Sequence, residues 1–408
     1  MPFRKRQSQN KREYVTSQIL ESLHKKRILE AKKMEKVLVV GTGDVGAHIL
    51  EILARMPLSF KLIVGDIDEE KGQKLVNNAM IGAAHHDLHP HIHFHKIDLT
   101  DIEGTADLLR RETPAVVINC TVMHTWHLIR QLPDEIYARI SSAALGAWLP
   151  CQLALAYNLS KAIKLSGVRT HFINTSLSCL TNPVLGKIGM PPTIGIGNVD
   201  LVEPGVRTLV ARELGVSRAN VKLYMVAHHQ HWVYPREAGY KPGAPYYLKV
   251  TVHGKDVTSQ FDTDRLMYDG VKLYPPGLNF TSVSASSTIK NMLALLHDLN
   301  TYTHSPGPNG LPGGYPVVLN AEGAEVVLPD DITLHEAIRM NEEAGRLDGI
   351  ERIEDDGTVV FADHATEIMK ETLGFDCPKF KPEESYKRAL EMIHRFRGLM
   401  DKHVGISQ

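Results

Sequence analysis

The sequence predicts an α/β protein: a doubly wound parallel sheet, followed by an α+β domain and preceded by a helical arm. Three observations predict it. A short apolar run, "KVLVV", leads into glycines at 41, 43 and 46. A second apolar run, "KLIVGD", ends in an acid, Asp66, twenty residues after Gly46. Strand-like and helix-like patterns then alternate to about residue 176, and such alternation implies parallel strands with helical crossovers.

Composition bounds what the chain does. Its 408 residues are 43% hydrophobic and 23% charged, the balance of an ordinary globular protein with core enough to need no disulfides. The four cysteines, Cys120, Cys151, Cys179 and Cys377, form no C-x-x-C pair, which fits a reducing cytoplasm and suggests neither a zinc knuckle nor a redox motif. No apolar run approaches the roughly 18 residues that span a bilayer. A net charge of −1 gives no global pull toward nucleic acid. The expected partners are a small-molecule substrate and further copies of the chain, as a dimer or tetramer, with no nucleic acid and no membrane.

The arm is residues 1–35. Met1 to Lys36 holds eleven Lys or Arg against four Glu. Val15, Ile19, Leu20, Leu23, Ile28 and Leu29 recur near helical spacing, so 13–33 reads as an amphipathic helix that packs on a partner subunit.

The folded part opens with the dinucleotide end, 36–176. After the first strand, the glycines stand in the G-x-G-x-x-G spacing, and Ile49, Leu50, Ile52, Leu53 and Met56 continue as a helix. Such glycines give a tight turn, close approach to a pyrophosphate, and close helix–strand packing. The helix N-terminus adds free N–H groups and positive dipole. This is the Rossmann fingerprint, and NAD is the predicted cofactor. Gly41, Gly43, Asp44, Val45 and Gly46 would hold its phosphates. Asp66, with Ile67, would meet the adenosine ribose and repel a 2′-phosphate, which favours NAD over NADP.

"IHFHKIDLTD" reads as a third strand that brings Asp98 and Leu99 toward the adenine. The imidazoles of "HHDLHPHIHFH" fall on its outer face, with no metal-ligand spacing. "AVVINCT" (115–121) reads as the fourth strand, which sets Cys120, Thr121 and Val122 beside the nicotinamide. "VMHTWHLIRQLPDEIYAR" follows as a covering loop carrying His124 and Arg130. A long helical region covers about 134–166, and "THFINTS" (170–176) is the next strand, ending in Asn174.

The rest, 177–408, is the predicted catalytic and oligomerisation domain. Its segments "TIGIGNVDLVEPGVRTLVARELGVSRANVKLYMVAHHQHWVYP" and "SSTIKNMLALLHDLN", with the "GGYPVVLNAEGAEVVLP" that follows, join the glycine strand and "FINTS" in a resemblance. The chain resembles the lactate/malate dehydrogenase superfamily, which includes an NAD- and metal-dependent glycosidase branch. The likeness covers most of 36–345.

The resemblance implies a hydride transfer between nicotinamide and a hydroxyl-bearing carbon of a small polar substrate. His229 aligns on the catalytic histidine and would act as acid/base, a role suited to imidazole. If "HHQHWVY" is extended, His231 shares its face and His228 points away. The dehydrogenase Asp and Arg positions fall near Val202 and Gly205, so Glu203 or Asp200 would orient the histidine and Arg207 would bind an anion. Arg130, Asn174 and His124 are the further substrate candidates. The glycosidase branch matches His229, Trp232 and Asn198 but has its metal-binding Cys where Gly197 stands, so no metal is assigned. The alternatives are a hydrolase or lyase that oxidises its substrate transiently with bound NAD, and a non-catalytic NAD-binding protein.

Overall fold

The computed structural model describes residues 34–405, apart from 58, 59, 240, 276 and 278. The predicted arm helix at 13–33 lies outside the described residues.

The apolar run after Met34 forms β1 (Lys36–Val40), whose last four residues are buried. Buried on both faces, it belongs at the centre of a parallel sheet. The chain then runs outward through α1 (Asp44–Ala54), β2 (Lys61–Asp66), α2 (Glu69–Ala84), β3 (Ile92–Lys96) and α3 (Ile102–Glu112). It returns to the other side of β1 as β4 (Val116–Asn119), and continues outward to β5 (His171–Asn174) and β6 (Ile194–Gly195). The sheet order is β3-β2-β1-β4-β5-β6 and every pairing is parallel. The order reverses between β1 and β4, so a crevice opens at their carboxyl ends. The α/β architecture expected from the sequence is the one observed, and its sheet runs past residue 176 through β6.

The predicted helical stretch at 134–166 is two helices, α4 (Asp134–Ser141) and α5 (Leu149–Ser166), with a short 3-10 turn at Gly146–Trp148 between them. The two directions differ by 88°. The break falls where the C-terminal segment presses in: a Cβ on Gly146 would lie 2.2 Å from the Asp348 carbonyl oxygen.

Between β5 and β6 runs α6 (Ser178–Lys187), and β6 leads into α7 (Val199–Leu214). β7 (Val221–Val226) pairs antiparallel with β8 (Tyr247–Val252), which pairs with β9 (Lys255–Asp256). The short α8 (Gln230–Glu237) fills the β7–β8 connection. Then come α9 (Thr263–Val271), α10 (Thr281–Leu296), and an antiparallel meander of β10 (Thr301–Pro306), β11 (Gly314–Asn320) and β12 (Gly323–Val326). The tail holds α11 (Leu334–Leu347), β13 (Ile350–Ile353), β14 (Val359–Phe361), α12 (Asp363–Leu373), β15 (Lys379–Phe380) and α13 (Ser385–Val404).

The tail completes the core on one face of the parallel sheet. Phe361, Met369, Phe380, Met392 and Phe396 join Leu38, Val117, Trp148 and Leu149 in one buried cluster. At about 1.5–3 kcal/mol for each such side chain buried, this cluster ties the tail firmly to the dinucleotide half. The opposite face packs on α1, α2 and α10 through Ile49, Leu53, Val76, Ile289 and Met292. Among the described residues no single helix is long and apolar enough to cross a membrane.

Candidate active site

The glycine loop is shaped as its sequence predicts. Gly41 has φ +99°, and a Cβ there would lie 2.8 Å from the Cys120 backbone. A Cβ on Gly46 would lie 1.9 Å from the Gly41 carbonyl oxygen, so only glycine lets α1 start this close to β1. At Gly43, by contrast, nothing lies within 4 Å of a Cβ. That open space lies at the N-terminus of α1, where an anion meets unpaired N–H groups.

Asp66 closes the far side of the loop. Its Oδ2 accepts from the Thr42 backbone N–H and hydroxyl, both at 2.6 Å, and its Oδ1 accepts from the Asp68 N–H at 3.0 Å. Burial raises its pKa, but these donors and Lys71 outweigh burial and hold the carboxyl below its ordinary value. Ile67 beside it is exposed, a large apolar side chain next to the loop. The Asp98 carboxylate is used locally: it accepts from the Thr100 N–H and hydroxyl, while Leu99 is buried. Thr121 bonds Asn119, and burial pushes the Cys120 thiol up to about 12.

One pocket of about 260 Å³ occupies the crevice between β1 and β4. Gly43, Asp44, Val45, Cys120 and Val122 form its dinucleotide side, and Ser176, Ser178, Asn198 and His229 its far side. Leu145, Trp148, Leu177, Val233 and Phe280 supply apolar walls. Arg236 opens onto the pocket with its guanidinium stem packed on Phe280 and Trp232, and it pairs with Glu237.

The histidine run departs from the strand expected. β7 ends at Val226, Ala227 bridges to Gly314, and His229 already has helical dihedrals as the N-cap of α8. His228 and His229 therefore face one another, ring centroids 4.1 Å apart, although neighbours on a strand point to opposite faces. His231 turns away. It packs on Tyr246, 5.0 Å between centroids, outside the main pocket.

His229 is 1% exposed, and its Nε2 lies 3.1 Å from Asp348 Oδ2, an ion-pair distance off the line of a good hydrogen bond. Burial alone would lower its pKa; Asp348, and then Cys179, reverse this and raise it to about 10. Asp348 caps the end of α11 and is fully buried. Cys179 comes from the first turn of α6, and Asn198 Nδ2 donates to its Sγ at 3.1 Å. Ligand atoms of Cys179, His228 and His229 all lie within 4.8 Å of one another.

Several sequence-predicted residues fall elsewhere. Glu203 pairs with Arg207, one helical turn away on α7, and neither lines the pocket. Asp200 is a packing node: its carboxylate accepts from Lys290 at 2.6 Å, Thr303 at 2.9 Å, Asn291 at 3.2 Å and also Ser287. The carboxylate at His229 is Asp348 instead. Asn174 is fully buried among Asn119, Thr181 and Asn182, and positions β5 without reaching the pocket. His124 packs at a tilt against both Trp148 and Phe396, where burial lowers its pKa to about 4. Arg130 pairs with Glu237, the partner it shares with Arg236. Asp348, Cys179 and Arg236 join the site without a sequence signal that marks them: Arg236 stands in the aromatic-rich segment 231–247, and nothing near Asp348 sets it apart.

Residues 37–129 match the family model described as the saccharopine dehydrogenase NADP binding domain. No curated protein matches the chain. Among solved structures, the chain is similar to the lactate dehydrogenase of Eimeria maxima with NADH and oxamate, at 15% identity and TM-score 0.54, over 77% of this chain and 92% of that one. It is also similar to the lactate dehydrogenase of Cryptosporidium parvum complexed with lactic acid and nicotinamide adenine dinucleotide (17%, TM-score 0.52, 77% and 96%). The malate dehydrogenase of Cryptosporidium parvum gives 15%, TM-score 0.51, and 78% and 98%. The chain therefore has the fold of the lactate and malate dehydrogenases, with a Rossmann-type domain that over residues 37–129 is similar to a dehydrogenase nicotinamide-dinucleotide-binding domain.

Proposed function

We propose that this protein is an NAD-dependent oxidoreductase. A hydride passes between C4 of the nicotinamide and a hydroxyl-bearing carbon: in the reducing direction the His229 imidazolium, held protonated by Asp348, gives its proton to the carbonyl oxygen, and in the oxidising direction the deprotonated ring takes the hydroxyl proton back. The observation that carries this reading is that the glycine loop and His229 open onto the same pocket. A dinucleotide on the loop extends toward the carboxyl ends of β4 and β5, which border that pocket. The apolar walls exclude water from the transfer, and Asp348 fixes the imidazole's orientation.

The pocket favours a small substrate with an anionic or polar group. Arg236 is the cation best placed to receive it, since its guanidinium is desolvated and planar, suited to a carboxylate. Arg130 acts behind it through the shared Glu237. The matching family model is named for NADP, yet a carboxylate at Asp66 favours NAD, because it accepts from ribose hydroxyls and repels a 2′-phosphate.

The test is NADH absorbance while small 2-hydroxy acids and other hydroxylated carboxylates are screened with the purified protein. NADH accumulation with one substrate class is the expected result. His229→Ala then lowers kcat by roughly 10²–10⁴-fold and leaves NAD affinity unchanged. Substrate turnover without any accumulation of NADH would overturn the reading in favour of transient oxidation followed by elimination.

A further inference from the structure

The polar centre behind the pocket contains more than an acid–base pair requires. Cys179, His228 and His229 are 0%, 1% and 1% exposed, and their ligand atoms converge within 4.8 Å. Neither ring nitrogen of His228 has a hydrogen-bond partner among the described residues. A buried imidazole left so costs free energy that something at the site must offset.

The three side chains arrive from separate parts of the chain. Cys179 is set by the α6 start, where Ser178 Oγ donates to the Asn174 carbonyl at 2.6 Å and accepts from the Ile196 N–H at 3.3 Å. The two histidines converge because the chain leaves β7 and turns into α8 between them.

We infer that Cys179, His228 and His229 bind a divalent metal ion of the zinc class. One thiolate and two imidazoles are the ligand types such an ion prefers. A tetrahedral ion needs ligand atoms roughly 3.3–3.8 Å apart, given bond lengths of about 2.0–2.3 Å. The ligand atoms already lie within 4.8 Å of one another without an ion to draw them in. The surroundings are those of a metal site. Asp348 Oδ2 lies 3.1 Å from His229 Nε2, which leaves Nδ1 for the ion and orients the ring. The Asn198 amide donates to Cys179 Sγ at 3.1 Å, as hydrogen-bond donors do to bound thiolates. The thiol comes from α6 and not from Gly197, the position that the glycosidase resemblance points to, and His228 has no counterpart in that resemblance.

Three protein ligands leave a fourth position, the pattern of catalytic rather than structural sites. His229 borders the pocket, so that position is within reach of a substrate oxygen. In this respect the inference deepens the proposed oxidoreductase reading: with the ion bound, His229 would be a ligand, the ion would acidify a substrate hydroxyl at its fourth position, and the proton would leave on an ion-bound hydroxide displaced as water. Metal binding itself does not depend on that reading.

The test uses the full chain, with any affinity tag removed and no chelator in the buffers. Elemental mass spectrometry is expected to find about one zinc-class ion per chain. Exchange with Co²⁺ should give visible d–d bands and a near-ultraviolet thiolate-to-cobalt band. Cys179→Ser should abolish the near-ultraviolet band and His228→Gln should lower occupancy. NAD binding by calorimetry and the melting transition establish that each variant is folded. Absence of stoichiometric metal together with absence of cobalt bands overturns the inference. A metal-replete protein that reduces no NAD with any hydroxylated substrate would sink the oxidoreductase reading and leave the metal site standing.

Discussion

Replacing Asp66 with Asn separates the charge at the ribose site from the shape of the loop. The amide oxygen of Asn can still accept from the Thr42 N–H and hydroxyl, the contacts made at 2.6 Å by Asp66 Oδ2. What changes is the charge. Hydrogen bonds to a carboxylate contribute about 1.5–3 kcal/mol, against about 1 for neutral ones, so NAD should lose about 1–2 kcal/mol, roughly 5–30-fold in affinity. For NADP the sign reverses. A phosphomonoester carries about −1.5 to −2 charges, and like charges at about 4 Å repel by about 1 kcal/mol per unit pair even at the dielectric of water. Removing the carboxylate relieves about 1.5–2 kcal/mol, roughly 10–30-fold. The ratio of NAD to NADP affinity should therefore fall by ~10²–10³ in Asp66→Asn. Isothermal calorimetry with both cofactors measures it, at fixed ionic strength because the phosphate term is screened by salt. Equal affinities in the unaltered protein, or an unchanged ratio in the variant, would refute the reasoning.

Two further perturbations test the loop and the core. Gly46→Ala should abolish binding of both dinucleotides and lower stability by about 1–3 kcal/mol, since its Cβ would lie 1.9 Å from the Gly41 oxygen. Gly43→Ala meets open space, so it should keep the melting temperature and weaken only the dinucleotide; equal thermal loss in the two variants would contradict this. In the core, His304 Nε2 accepts from the Met225 N–H at 3.2 Å, and burial drives its pKa down to about 3, with Asp200 opposing and Lys290, Arg207 and Lys222 reinforcing. The unfolded chain binds this proton near pH 6.5, so the contribution is complete above that pH and is lost as pH falls toward 3. His304→Gln keeps an acceptor and does not titrate. Between pH 7 and pH 5 the stability difference should move in its favour by about 2 kcal/mol in denaturant unfolding, and parallel pH profiles would refute the assignment.

The dinucleotide half was legible because its signals are local. Gly41 and Gly46 are dictated by contacts within one strand–turn–helix unit, and Asp66 by the strand next to it. The catalytic half was not, for three physical reasons. Period-two reasoning placed His229 and His231 on one face, but the strand had already ended at Val226 and the helix turned His231 toward Tyr246. The sequence points to Glu203 or Asp200 on α7 as the orienting acid, whereas both are engaged in packing: Asp200 with α10 and β10, Glu203 with Arg207. The acid that serves His229 comes from the tail, at the end of α11, where no local pattern in the sequence marks it. Cys179, read as one of four scattered thiols, meets the histidines solely through the fold.

That the tail belongs to the site gives a last test, because Asp348 is held by a contact remote from any ligand. The Gly146 N–H donates to the Asp348 carbonyl at 3.1 Å. A Cβ at 146 would lie 2.2 Å from that carbonyl oxygen, 2.9 Å from Ile350 Cγ1 and 3.2 Å from Asp348 Oδ2, the oxygen that faces His229. Gly146→Ala must therefore push the tail segment away from the α4–α5 break. Relief of such overlap costs about 1–3 kcal/mol of stability. A shift of about 1 Å in a positioning group can lower turnover by as much as 10²-fold. The variant should lose kcat and keep its NAD affinity, since the glycine loop lies on the other side of the pocket. Asp348→Asn should give a similar loss by removing the charge in place. If both act through the same His229 contact, the double variant should be no worse than the more damaging single one, because mutations that break one interaction are not additive. Fully additive losses, or a Gly146→Ala protein with normal turnover, would mean that the tail covers the site without taking part in it.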